Sequence, residues 1–229
     1  MMDFFRGRVA GLVWCAVALL VSACARAPRD PGPPASGSEA PSSAPEKVEP
    51  FSGEIVYEWR VYHTVGPERL LGTYELHYFT SGSHWKHTDR DGKLLALYEP
   101  ASKQIHFFDP EHRAVPASQV DASYELTRAS EMRTILGYEC KSIQKVSATG
   151  RSLEFYTPQL RVDPAPFLDH HFQGWAEFLG FTGGALSLDS EVTQEGRRTL
   201  VKAIRIERRT FDKSFWQMPS AQPPVAERQ

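Results

Sequence analysis

Three cysteines in 229 residues cannot build a disulfide framework. Cys15 falls inside an N-terminal apolar stretch and Cys24 closes it, so Cys140 is the one thiol left to the folded portion, whose core must hold without an internal staple. A charge surplus is missing as well. Lys and Arg number 26 against 28 Asp and Glu, for a net charge of −2 and a pI near 6.5, which argues against a nucleic-acid binder and against a polybasic membrane-surface protein. No run reaches the roughly 20 apolar residues that a transmembrane helix needs. G-x-S-x-G elbows, glycine-rich phosphate loops, H-E-x-x-H and paired C-x-x-C spacings are all absent. The expectation is therefore a protein without catalytic residues and without a cofactor.

What is present begins at the N-terminus. Arg6 and Arg8 precede an uncharged stretch from Val9 to Ala23, the size of a signal-peptide apolar region and short for a membrane span. It closes on Val21-Ser22-Ala23-Cys24, which resembles the lipobox of bacterial lipoproteins. The resemblance implies cleavage between Ala23 and Cys24, diacylglyceryl transfer to the Cys24 thiol and acylation of the new amine. Each buried acyl CH₂ contributes about 0.8 kcal/mol, so several chains hold where one exchanges. The alternative is an ordinary secretory signal cleaved at the same bond, because Val21-x-Ala23 suits that too. Ala25, rather than Asp, at the next position is similar to lipoproteins routed to the outer membrane, facing the periplasm.

Residues 25 to 50 contain seven Pro and eleven Gly, Ala or Ser, with no aromatic residue before Phe51. Such a composition cannot bury enough apolar area to offset its ordering entropy, so 24–50 reads as a lipidated Cys with a disordered tether. The tail 220–229 reads as frayed. Between them, 51–219 is the folded unit.

Within that unit a period of two dominates. Ile55, Tyr57, Trp59 and Val61 alternate with Val56, Glu58, Arg60 and Tyr62, and Tyr74, Leu76 and Tyr78 repeat the pattern. Further strands are expected over 85–88, 94–98, 105–108, 131–136, 138–147, 152–157, 186–193 and 199–208, with Asp91-Gly92 and Gln194-Glu195-Gly196 as turns. Phe167, Leu168, His171, Phe172, Trp175, Phe178 and Leu179 fall at helical spacings, which predicts one amphipathic helix over 167–180. A lone apolar helix needs a sheet to cover it. The fold class is mainly β (α+β): an antiparallel half-barrel sheet of about ten strands curled around one amphipathic helix.

The block Ile135-Leu136-Gly137-Tyr138-Glu139-Cys140 resembles the Ile-x-Gly-Tyr-x-Cys motif of the bacterial domain-of-unknown-function 4412 family. Gly53 to Tyr57, Gln104 to Asp109, Gly184 to Glu195 and Ser214 to Pro219 match that family in order. The chain order also resembles the half-barrel of LolA/LolB-type lipoprotein carriers, which implies an apolar cavity between sheet and helix. The family brings no catalytic residues to carry over.

Three groups of side chains are candidates for function. Tyr57, Trp59, Tyr74, Tyr78, Phe155, Phe172, Trp175 and Phe178 would line a cavity for a lipid or other hydrophobic ligand, or else simply fill a core. Asp169, His170 and His171, with His84 and His87 nearby, would be the ligands of a metal site, although neighbours on a helix point about 100° apart. Cys140, with no C-x-x-C partner, reads as a packed, inert thiol on an inward strand face. The leading expectation is a lipid-anchored envelope lipoprotein that binds a hydrophobic ligand. The alternatives are a structural or partner-binding lipoprotein with a solid core and a metal-binding protein. The sequence names no protein partner.

Overall fold

The computed structural model describes residues 49–108, 113–118 and 124–218. The expected signal segment, the tether up to residue 48 and the tail 220–229 lie outside them. Eleven strands follow in order: β1 (Gly53–His63), β2 (Arg69–Ser81), β3 (His84–Asp89), β4 (Leu94–Glu99), β5 (Gln104–Phe107), β6 (Arg113–Pro116), β7 (Glu125–Ile135), β8 (Tyr138–Val146), β9 (Gly150–Arg161), β10 (Ala185–Gln194) and β11 (Arg197–Arg208). They form one antiparallel sheet in the order β6-β5-β4-β3-β2-β1-β11-β10-β9-β8-β7. The first and last strands therefore pair at its centre, and β6 and β7 are its two open edges.

The turns between strands follow local chemistry. Leu136 and Gly137 both take positive φ (50° and 85°) between the partners Ile135 and Tyr138. That is the mirror-image two-residue hairpin turn, which a glycine at its second position makes inexpensive. Glu195-Gly196 joins β10 to β11 in the same way. At the β3–β4 turn the Asp89 carboxylate accepts hydrogen bonds from the backbone N–H of Asp91 and of Lys93.

The helical region differs from the expected 167–180. Short 3₁₀ turns cover Ala165–Phe167 and Phe172–Gly174, and the α-helix, α1, runs from Trp175 to Thr182. Gln173 and Gly174 stand at φ 55° and 69°, and a Cβ on Gly174 would come within 2.6 Å of the Tyr124 ring. Two successive left-handed residues break the helix just where the apolar spacing continued. At the other end α1 passes through Gly180, which costs about 1 kcal/mol relative to Ala, and stops at Gly183, φ 67°. No helix among the described residues is long and apolar enough to cross a membrane.

One face of the sheet carries α1. Tyr78 meets Trp175 and Tyr156 meets Phe178, with ring centroids 6.2 and 6.3 Å apart. The opposite face of β1 and β2 is covered by the C-terminal segment, where Phe211, Phe215 and Trp216 pack on one another and the two Phe rings pack on Phe79. Beside them the buried Glu54 carboxylate binds His77 Nδ1 at 2.6 Å and the Arg205 and Arg209 guanidinium groups at 3.3 and 3.1 Å. This double covering explains why Glu54 and Val56 are buried together with Ile55 at the start of β1.

Phe178 is 2% exposed, whereas Leu168, assigned to the same helix face by spacing, is 60% exposed. Phe178→Ala is expected to lower the unfolding free energy by about 3–5 kcal/mol, and Leu168→Ala by under about 0.5 kcal/mol. Chemical denaturation of both variants checks the helix boundary as well as the core.

Candidate functional site

Residues paired directly across antiparallel strands share a face, and neighbours along a strand alternate. The contact of Tyr78 with Trp175 therefore places the whole register. Ile55 faces Tyr78, Tyr57 faces Leu76 and Trp59 faces Tyr74, so Ile55, Tyr57, Trp59, Tyr74 and Tyr78 look toward α1, the concave side. Val201 and Ser190 continue the Trp59 row across β11 and β10, and Glu154 closes it on β9. Tyr74 lies down over its own strand: a Cβ on Gly72 would meet the Tyr74 hydroxyl at 2.5 Å.

Seven of the eight aromatic candidates lie on or against this side. Phe172 packs on Phe107 near the β6 edge, centroids 5.5 Å apart. Trp175 touches His170, Tyr78 and Phe178. Phe155 corrects the expectation: its neighbour Tyr156 meets Phe178, so Phe155 points to the convex side, where the Arg133 guanidinium covers its ring at 3.8 Å. Cys140 belongs to that convex side too, because Tyr156 pairs with Lys141. It is fully buried there, and burial raises its thiol to about 11, which leaves little thiolate.

The concave side has a filled end and an open end. At the α1 end, Trp85, Tyr98, Phe167, His170 and Tyr78 pack ring against ring. Yet α1 has 8 residues, about 12 Å of length, against 11 and 13 in β1 and β2, which span about 36 and 43 Å. The helix covers only part of the strands. Beyond it Trp59, Val61, Tyr74, Val192 and Val201 stay half-buried. A depression of about 280 Å³ lined by Glu131, Gln144, Arg151 and Glu191 lies on the convex side and has none of the eight aromatics.

Polar groups gather where the trough meets α1, a cluster that spacing did not reveal. Lys145 Nζ lies 2.8 Å from Glu154 and donates to the Gln173 carbonyl. Burial works against its charge, but the Glu154 carboxylate outweighs this and holds the ammonium above its ordinary range. The Tyr57 hydroxyl donates to the Ser187 carbonyl at 2.7 Å, and burial pushes its phenol well above the usual value. The indole N–H groups of Trp59 and Trp175 and the Oε2 of Glu177 are buried with no hydrogen-bond partner among the described residues.

The candidate metal ligands diverge. Asp169 pairs with Lys103, His171 Nδ1 meets Glu177 at 2.8 Å, and His170 Nε2 accepts from the Trp85 indole at 3.3 Å. His84 stacks on Trp216, and His87 sits between the Tyr78 and Trp85 rings. No group of three metal-ligating side chains converges among the described residues.

No family model and no curated protein matches the chain. Solved structures do resemble it. PNGF-II is similar at 12% identity and a TM-score of 0.42 over 72% of this chain, which spans only 30% of the PNGF-II chain. A LolA superfamily protein from Nitrosomonas europaea is similar at 9% identity and a TM-score of 0.35, over 73% of this chain and 90% of its own. A Vibrio parahaemolyticus domain assigned to outer membrane lipoprotein sorting gives 10% identity and a TM-score of 0.30, over 73% of this chain and 90% of that one. Nothing about activity follows at such identities and scores.

Desolvation pulls His87 and His170 down to about 4. Both are neutral when folded and take up a proton near pH 6.5 when unfolded. Their stabilisation is complete above about pH 6.5 and is lost as pH falls toward 4, at up to about 1.4 kcal/mol per pH unit for each. Urea midpoints should fall across that window, and His170→Gln, which keeps an acceptor for Trp85, should halve the slope.

Proposed function

We propose that this chain is a non-enzymatic, lipid-anchored lipoprotein of the cell envelope whose half-barrel, residues 51–219, holds an elongated hydrophobic ligand along its concave side. Acyl chains on Cys24 provide the anchor, after cleavage following Ala23, and residues 25–50 the tether. Ala25 supports outer-membrane placement facing the periplasm. The Ile135–Cys140 block supports membership of the domain-of-unknown-function 4412 family. The observation that carries the binding reading is the mismatch of lengths: an eight-residue helix on strands of 11 and 13 residues leaves Trp59, Tyr74 and Val201 half-covered on a concave surface. Half-buried aromatic faces, with two indole donors that lack partners among the described residues, suit a ligand that is mostly apolar.

The ring-on-ring packing around Trp85, Tyr98 and His170 favours the second reading, a solid-core structural or partner-binding lipoprotein, at the α1 end alone. The ligand seat is the hairpin end, with Trp59, Tyr74 and Tyr57 nearer to it than Phe178 or Phe172.

Two measurements test this. Cys24→Ser should move the protein out of the membrane fraction and abolish its labelling by radioactive palmitate; a wild-type N-terminus at Cys24 without acyl mass overturns the anchor. Trp59→Ala should weaken binding of an uncharged apolar dye about tenfold, the worth of one aromatic side chain's burial, while a wild-type chain that binds no such dye rejects the carrier reading in favour of the solid core.

A further inference from the structure

The concave surface does not end at its aromatic floor. Val61 follows Trp59 on the same side of β1, and His63 follows Val61. Across from His63 stand Arg69 on β2 and Arg197 on β11. The irregularity that displaces Leu71 shifts β2 against β1 just before this row, and it leaves His63 and Arg69 as direct partners. Three basic side chains thus sit side by side across adjacent strands, at the hairpin end of the trough. Arg69 and Arg197 flank His63 from its two neighbouring strands, so their charges stand about two inter-strand spacings, roughly 10 Å, apart on one face.

The convex side of the same hairpins is built the other way. Arg60 pairs with Glu58, and Arg198 is held by both Glu68 and Glu191. Neither Arg69, His63 nor Arg197 has an ion pair or side-chain hydrogen bond among the described residues. Glu68, the carboxylate next to Arg69, is taken by Arg198, and Glu195 in the β10–β11 turn pairs with none of the three. Cations that the chain neutralises on one side it leaves open on the other, at the end of an apolar trough. From Tyr57 to His63 the strand runs about 20 Å, long enough for an extended acyl chain to lie on Trp59, Val61 and Tyr74 with its polar end at the basic row.

Resting on the hydrophobic-ligand reading above, we infer that Arg69, His63 and Arg197 form a headgroup subsite that makes the ligand an anionic amphiphile, a lipid carrying a carboxylate or phosphate. The guanidinium groups supply forked donors for such oxygens, and an anion between them supplies the opposite charge that neither has among the described residues.

The test uses the full chain and the displacement of bound Nile red by palmitate, by palmityl alcohol and by inorganic phosphate. Palmitate should displace the dye at about tenfold lower concentration than the alcohol, the order of one charge-assisted hydrogen bond at an open mouth, and the gap should shrink with added salt. The triple variant Arg69→Gln, His63→Gln, Arg197→Gln should lose the gap while its response to the alcohol stays unchanged. Its thermal midpoint should equal or exceed that of the wild type. Arg60→Gln, on the convex side where its partner is Glu58, and the charge-preserving Arg69→Lys should both keep the gap. Equal displacement by palmitate and alcohol in the wild type overturns the subsite and leaves the trough intact. Displacement by phosphate as effective as by palmitate overturns it in favour of a free-anion site. A wild type that binds no dye rejects the hydrophobic-ligand reading itself, and the subsite with it.

Discussion

Eight residues lie between Pro116, the end of β6, and Glu125, the start of β7, nine steps along the chain, and those strands are opposite edges of an eleven-stranded sheet. Laid flat, ten inter-strand spacings would hold the edges about 48 Å apart. Nine steps reach at most about 32 Å even when fully extended. The sheet has to curl, and the side toward which it curls becomes a concave surface. Because β1 and β11 pair in the middle, the curl places them, with Trp59 and Val201, at the floor. The trough follows from chain connectivity before any side chain is considered.

The same connection decides where the helix goes. The Phe172 N–H donates to the Ala117 carbonyl just after β6, Lys145 on β8 reaches the Gln173 carbonyl, and the Tyr124 ring lies against Gly174 just before β7. The 3₁₀ turn at Phe172–Gly174 is thus pinned from both edges of the sheet. Its two left-handed residues turn the chain so that α1 starts over the sheet instead of continuing outward. A straight helix from Phe167 would have carried His171 and Phe172 on one rigid rod. The break lets His170 turn into the Trp85–Tyr98 cluster while His171 remains with Glu177. The two side chains thus take different partners and do not converge.

Strand positions are legible because alternation survives in any half-buried antiparallel sheet: every expected strand has a counterpart, and of the described strands only β6 is not expected. The stretch around Arg113 to Ala129 was less so: Arg113-Ala114-Val115-Pro116 is too short to show a period, and β7 exposes most of its side chains at the edge. The helix expected over 167–180 is confined to Trp175–Thr182, since apolar spacing across Phe172 and Trp175 carries no information about a Gln-Gly pair adopting positive φ. Faces were harder still. Phe155 and Cys140 look like inward residues by composition, yet each is buried on the convex side under Arg133 and Asp189. The basic row was illegible for a stronger reason. Arg69, His63 and Arg197 are distant in the chain, and only the register of two strand pairs brings them together.

That register ties the electrostatics to the shape. Burying a donor or carboxylate without a partner costs about 1–3 kcal/mol, and the buried convex Glu54 avoids this by gathering three basic groups. The concave side pairs Lys145 with Glu154 but leaves other polar groups open. It keeps the Trp59 and Trp175 indoles and one Glu177 oxygen without partners among the described residues, and there too it sets Arg69 and Arg197 on either side of His63 with no carboxylate against any of the three. Both departures raise the free energy of the protein alone, and both lie on the surface that the short β6–β7 connection forces into a trough. Among the described residues, Trp175 and Glu177 on α1 and Trp59 on the floor keep polar atoms without partners, and Arg69 and Arg197 stand at the hairpin end, an arrangement that a long molecule with an anionic end would complete.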